Sequence, residues 1–389
     1  MGKLGGQLAL VRPDDLAAHA VSALVSRNPK LDPKAIEDIQ WGAANQAGED
    51  NRNLARMAGL LAGLPIEIPG ATVNRLCGSG MQAVISATHA LKDGWGDVMI
   101  AGGSESMSRA PFVTMKAEKG FPVGTPETAD TVIGWRLVNS RMKKLYPPLT
   151  LGMTAEVVAE QFNVSREDQD AFALRSHELA LRATAGGTFK DEIEPIEAPV
   201  DSRRRAHHLI ENDEGPRVDT SLEKLAKLRP VFKEGGMVTA GNSSPMNDGA
   251  TALLLATEKG LNDHQLTPMA RIVSSGAAGV HPDTMGIGPV PASEKALARA
   301  GIAADDLDLI EINEAFASQS LASMRLLNLD PEKVNVNGGA IAIGHPLGAS
   351  GARILTTLAH ELKRSGSRFG LATMCIGVGQ GISTVIERV

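Results

Sequence analysis

Two stretches of this sequence, 271 residues apart, run through the same succession of glycine-rich turn, helix and apolar strand. Gly80 lies over Gly351, Gly102 over Thr373 and Cys77 over Gly348. After the first turn Met81, Val84, Ile85, Thr88 and Leu91 recur at helical spacing; after the second, Ile354, Leu355, Leu358 and Leu362 do so. Apolar runs of strand length, Val98-Met99-Ile100-Ala101, Leu309-Ile310-Glu311-Ile312 and Gly370-Leu371-Ala372-Thr373, alternate with amphipathic helical stretches. Such a repeat predicts two related halves, each with its own sheet, in an α/β architecture.

The 389 residues exceed what one core organises. With 41 glycines and one tyrosine, backbones are expected to approach closely between tight turns. Between the halves the chain becomes more charged and richer in proline, and carries Arg203-Arg204-Arg205, read here as a solvated loop. We expect a first half at 1–106 completed by about 236–257, an inserted segment at 107–235 and a second half at 258–389.

A net charge of −6 and a pI near 5.9 speak against nucleic acid or an anionic membrane as general partners. No run approaches the ~20 apolar residues that span a bilayer, and no signal-peptide pattern opens the chain, so a cytoplasmic location is expected. Two cysteines make no disulfide framework and are too few for a structural zinc site; no metal is expected.

Four motifs carry chemistry. Val73-Asn74-Arg75-Leu76-Cys77-Gly78-Ser79-Gly80-Met81 puts a cysteine where a strand meets a helix. A helix start favours the thiolate and its free N–H groups can hold an oxyanion; a small buried hydrophobe is the plainer reading. Asn337-Gly338-Gly339-Ala340-Ile341-Ala342-Ile343-Gly344-His345 presents one histidine, a base for a thiol or a structural hydrogen-bonder. Thr373-Met374-Cys375-Ile376-Gly377 sets a second cysteine before a glycine-rich turn. In Glu311-Ile312-Asn313-Glu314, Asn313 either holds a water or oxyanion or caps a helix.

Together the four motifs resemble the thiolase family along almost the whole chain. Leu24-Val25-Ser26-Arg27-Asn28-Pro29, Asp38-Ile39-Gln40-Trp41-Gly42 and Phe369-Gly370-Leu371-Ala372-Thr373-Met374-Cys375 look like the bacterial degradative 3-oxoacyl-CoA thiolases, the β-subunits of fatty-acid oxidation complexes. The resemblance implies the thiolase fold: two similar halves with mixed five-stranded sheets in a five-layer αβαβα arrangement, plus an inserted loop domain. It implies Cys77 as the acylated nucleophile, His345 as its base and Cys375 as the acid/base at the acetyl α-carbon. Asn313 would hold a water that stabilises the enolate, and the N–H groups of Cys77 and Gly377 would form a second oxyanion hole. Arg229 would lie near the adenine of coenzyme A and Ser244 near its pantetheine, with Leu151 and Met153 lining the acyl pocket. Thr150, where acetoacetyl-CoA-forming members commonly carry histidine, favours a degradative role on longer acyl chains.

The implied reaction is thiolysis of a 3-oxoacyl-CoA in fatty-acid β-oxidation, with coenzyme A as a substrate and no cofactor. The implied assembly is a homodimer or dimer of dimers, and a hydratase/dehydrogenase α-subunit is a possible partner. Members of the family also carry an apolar strand and an Arg-Thr-Pro turn ahead of a segment like Gly2-Lys3-Leu4-Gly5-Gly6. That strand, read as central, does not precede Gly2 here, and its loss would expose neighbouring groups. Competing readings are an acetyl-CoA acetyltransferase making acetoacetyl-CoA, a lipid-binding or scaffold relative, a ketoacyl-synthase-type condensing enzyme and a cysteine hydrolase. Cys375 discriminates against the condensing enzyme, which pairs its cysteine with two histidines.

Overall fold

A computed structural model describes the whole chain, residues 1–389. It begins with β1 (Gly2–Lys3), α1 (Pro13–Ser26), β2 (Ile36–Gly42), α2 (Leu54–Leu61), β3 (Gly70–Val73), α3 (Ser79–Lys92) and β4 (Val98–Ser106). A segment of two hairpins and four helices follows: β5 (Phe112–Thr114) with β6 (Thr128–Asp130), α4 (Ser140–Leu145), α5 (Leu151–Gln161), α6 (Arg166–Ala185), β7 (Ile196–Pro199) with β8 (His207–Ile210), and α7 (Leu222–Ala226). The chain returns through β9 (Asn247–Ala256) and α8 (Glu258–Asp263) to β10 (Ala270–Gly279), α9 (Pro289–Ala300), β11 (Leu309–Ile312), α10 (Ala317–Leu326) and α11 (Ala340–Ile343). It ends with α12 (Leu347–Ser365), β12 (Phe369–Ile376) and β13 (Gln380–Arg388).

Two mixed sheets form, ordered β1-β9-β4-β2-β3 and β10-β13-β12-β11. In each, a parallel pair (β2 with β4, β11 with β12) is extended by an antiparallel neighbour (β9, β13). The helices α3 and α12 lie between the sheets, where Met81, Val84, Ile354 and Leu358 share one core with Met99 of the first sheet and Met374 and Ile382 of the second. A helix with a sheet on either side must be apolar on two faces, which explains the broad buried run Met81, Ala83, Val84, Ile85, Ala87 and Thr88. Outside the first sheet, Val21 of α1 and Leu54 of α2 pack on Ile39 and Trp41. Outside the second, Leu297 of α9 and Met324 of α10 pack on Ile310 and Leu371. The result is five layers.

The helices cross at the two glycines that align in the repeat. A Cβ on Gly80 would stand 2.7 Å from the Gly348 carbonyl oxygen, and one on Gly351 2.5 Å from the Met81 nitrogen. Hydrogen alone fits at this crossing.

One expectation needs correction. The second sheet has four strands rather than five, with a single parallel bridge from Val334 to Ile310 at its open edge. Asn335 is the cause: its φ is +47° and its side-chain amide exchanges both hydrogen bonds with the Ile312 main chain, at 2.8 and 2.9 Å. An amide side chain thus satisfies the edge that a fifth strand would occupy. β1 pairs only with β9, Gly2 opposite Asp248 and Lys3 opposite Asn247, at the edge of its sheet.

Candidate active site

A cavity of about 750 Å3 opens where the inserted segment meets both halves. Cys77, His345, Cys375 and Gly377 line it, together with Leu151 and Ser244. Residues more than 260 positions apart in sequence therefore reach one space. Each arrives at the end of a regular element, where the backbone turns.

Cys77 sits on a tight turn. Leu76 before it has φ +49°, a conformation that side chains other than glycine adopt at a cost. The turn is held by the Ser79 hydroxyl, which donates to the Leu76 carbonyl at 2.6 Å and accepts the Arg75 N–H at 2.9 Å. Gly78 caps α3, so the thiol lies just ahead of the helix start. The expectation that this position lowers the thiol pKa is overturned. Burial pushes it up to about 11, although the N–H groups of Gly377 and Cys77 itself pull the other way; the Glu105 carboxylate adds to the rise. Burial raises the Cys375 thiol further, and the neighbouring Cys77 contributes. The resting site therefore holds two thiols.

His345 is buried and its pKa is depressed to about 3, by burial first and then by Arg353; the ring is neutral. Its tautomer follows from Ser350. The single hydroxyl proton of Ser350 goes to the Pro346 carbonyl at 2.9 Å, so the 2.6 Å contact between Ser350 Oγ and His345 Nδ1 needs the proton on Nδ1. That leaves Nε2 with a free lone pair. The His345 main-chain N–H donates to Asn247 Oδ1 at 2.9 Å.

Asn313, at the end of β11, is not on the cavity wall. It lies behind the imidazole with Nδ2 3.4 Å from both ring nitrogens, and its buried Oδ1 has no partner. This orphaned acceptor is closed off from the cavity, so a water at it requires a small opening beside the ring. Gln319 Nε2 donates to the Asn313 carbonyl at 2.8 Å and fixes the turn.

The other expected positions divide. Leu151 lines the cavity and Met153 does not: two residues along an α-helix is a rotation of about 200°, which turns Met153 away. Ser244 lines the cavity, with its N–H on the Ala315 carbonyl at 3.0 Å. Arg229 is exposed, outside the wall, next to the lining residue Leu228. Three supporting residues carried no mark in the sequence reading: Ser350, Asn247 and Glu105. Glu105 is buried and takes the N–H groups of Ala44, Asn45 and Gly348 at 2.9, 3.0 and 2.8 Å, so it ties the start of α12 to the loop after β2. A carboxylate in the otherwise small and apolar strand Val98–Ser106 was the signal available for it.

With this geometry in view, the family models agree with it. Residues 1–259 match the thiolase N-terminal domain and residues 266–388 the thiolase C-terminal domain. The chain belongs to the thiolase family of acyltransferases. It is 54% identical over 391 residues to a beta-ketoadipyl-CoA thiolase of Pseudomonas aeruginosa, covering 100% of this chain and 96% of that one. It is 46% identical to a 3-ketoacyl-CoA thiolase of Pseudoalteromonas translucida, covering 99% and 95%. Among solved structures, the acetyl-CoA acetyltransferase of Bacillus anthracis superposes with a TM-score of 0.92 at 41% identity, over 100% of this chain and 96% of that one.

Proposed function

We propose that this chain catalyses the coenzyme-A-dependent cleavage of a 3-oxoacyl-CoA, with beta-ketoadipyl-CoA as the substrate and acetyl-CoA and a shortened acyl-CoA as products. The observation that carries the reaction is the convergence of Cys77, His345, Cys375 and Gly377 on one cavity. The substrate rests on similarity: the relative named for beta-ketoadipyl-CoA is more identical than the one named for 3-ketoacyl-CoA. Fatty-acid β-oxidation, expected from the sequence, becomes the second reading on the same ground.

In the first half-reaction Cys77 Sγ attacks the 3-keto carbon while His345 Nε2 takes the thiol proton. With the thiol near 11 and the imidazole near 3, the proton moves as the sulfur–carbon bond forms and not before. The N–H groups of Gly377 and Cys77, which address the sulfur in the resting site, would receive the developing oxyanion. The C2–C3 bond then breaks, and Cys375 protonates C2 of the acetyl-CoA enolate. Asn313, which lies behind the imidazole and off the cavity wall, would reach the enolate oxygen only through a bridging water. In the second half-reaction Cys375 regains its proton from free coenzyme A. The new thiolate takes the acyl group, and Cys77 leaves with the proton stored on His345. An acyl-cysteine is itself a thioester, so the transfer is nearly isoenergetic.

The test is coenzyme-A-dependent cleavage of beta-ketoadipyl-CoA and of a saturated 3-oxoacyl-CoA by the parent, Cys77→Ala and Cys375→Ala. Cleavage by the parent, lost in both variants, with higher kcat/KM for beta-ketoadipyl-CoA, is the expected result. Cleavage that survives Cys77→Ala would sink the mechanism.

A further inference from the structure

One lobe of the cavity plays no part in the chemistry above. It is lined by Lys3, His177 and Arg217. The Lys3 and Arg217 side chains have no carboxylate within ion-pairing distance: Asp219, which shares this lobe, is paired with Lys224 at 3.1 Å. The nearby Glu214 is occupied by the main-chain N–H groups of Lys3 and Gln7, at 2.9 and 3.0 Å. His177 is only 5% exposed. Its Nδ1 accepts the Arg217 N–H at 3.2 Å, so the neutral ring carries its proton on Nε2, which has no protein acceptor, on a residue that lines the cavity. Burial, then the positive charges of Arg217 and Lys3, hold the His177 pKa down to about 4, which places both cations around a neutral donor. The lobe also adjoins the reacting centre, since Asn247, opposite Lys3 in the sheet, takes the His345 N–H.

Two unpaired cations and an unpartnered N–H around one cavity wall form a receptor for an anionic oxygen group. We infer that Lys3, His177 and Arg217 constitute an anion subsite for the substrate, filled either by the terminal carboxylate of a dicarboxylic acyl chain or by a phosphate of coenzyme A. The subsite rests on the reading of this cavity as a site for CoA thioesters.

The experiment compares kcat/KM for three substrates in the parent, Arg217→Gln and Lys3→Gln. These are beta-ketoadipyl-CoA, 3-oxohexanoyl-CoA, which has the same chain ending in a methyl group, and 3-oxohexanoyl-pantetheine, which has no phosphate. Loss of one charge-assisted hydrogen bond is expected to lower one selectivity ratio by about tenfold or more. A fall in the ratio of beta-ketoadipyl-CoA to 3-oxohexanoyl-CoA identifies the anion as the acyl carboxylate. A fall in the ratio of 3-oxohexanoyl-CoA to 3-oxohexanoyl-pantetheine identifies it as a phosphate. Ratios unchanged in both variants, whether all three rates drop together or none does, overturn the subsite. A parent that cleaves none of the three overturns the reading of the site on which it rests.

Discussion

Buried titratable groups dominate the chemistry of single residues here, and two predictions follow from the direction of their shifts. The Cys77 thiol is held up to about 11 by burial, with the Glu105 carboxylate adding to the rise. Inactivation of the free enzyme by iodoacetamide should therefore keep accelerating above pH 9. Glu105→Gln should move that profile to lower pH by removing a negative charge, and a move to higher pH would refute the assignment. The second prediction concerns stability. Glu105 and Glu192 stay protonated in the fold up to about pH 7 and Glu311 up to about 8, against an ordinary 4.5. In that window the folded state binds more protons than the unfolded chain, so these groups lower stability as pH rises. Three histidines act oppositely: His345, near 3, and His177 and His360, near 4, sit below their ordinary 6.5, so stability gains as pH rises to about 6.5. The two sets offset between about 4.5 and 6.5, and only the carboxylates act above. The thermal midpoint should be flat to about pH 6.5 and fall towards pH 8; a rise across that upper interval would contradict the assignment. The residues that change bonds were legible because their types are rare, two cysteines and one histidine in a run of small residues. Their supports were not: Ser350 and Asn247 matter only through the partners the fold gives them, and burial, which sets the Cys77 pKa, is invisible in a local motif.

At the scale of elements, the crossing of α3 and α12 ties the two halves together. Gly351→Ala would drive a methyl group to 2.5 Å from the Met81 nitrogen, a main-chain atom that cannot rotate away. Overpacking of this kind typically costs about 1–3 kcal/mol, and here it also separates helices that position Cys77 and the start of α12. Gly351→Ala should lower the denaturant midpoint together with kcat, whereas Gly94→Ala, at φ +82° with open space around it, should act on stability alone. Equal activity losses in the two variants would show that the crossing has no special role. The repeat was readable because glycine at a helix crossing, followed by apolar residues at helical spacing, leaves the same imprint in α3 and α12. The four-stranded edge was not readable: the side chain of Asn335 does there what backbone does elsewhere, and no periodicity reports it. Met153 shows the same limit, since only the helix phase of α5 separates it from Leu151.

For the whole molecule, the surface of the inserted segment argues for association. Phe121 is 99% exposed, Phe112 71% and Leu145 70%, all in the stretch that carries the β5–β6 hairpin and α4. Apolar side chains left this open in one stretch are uncommon on a chain that works alone. The edge strand β3 pairs only with β2 and leaves its other side without a strand partner, a second surface suited to a further copy. The two surfaces differ, so one could close a dimer and the other join dimers, in line with the closed symmetries that self-association favours. We therefore expect sedimentation velocity to return a dimer or a dimer of dimers at micromolar concentration. Phe112→Ser combined with Phe121→Ser should shift the mass towards the smaller species while leaving α3, α12 and the core they share with both sheets folded. Because Ile133 and Gly134 of the same segment line the cavity, dissociation should loosen that wall of the site and raise KM more than it lowers kcat. A parent that sediments as a monomer would remove the basis for this prediction. A variant that dissociates with KM unchanged would confine the segment to assembly.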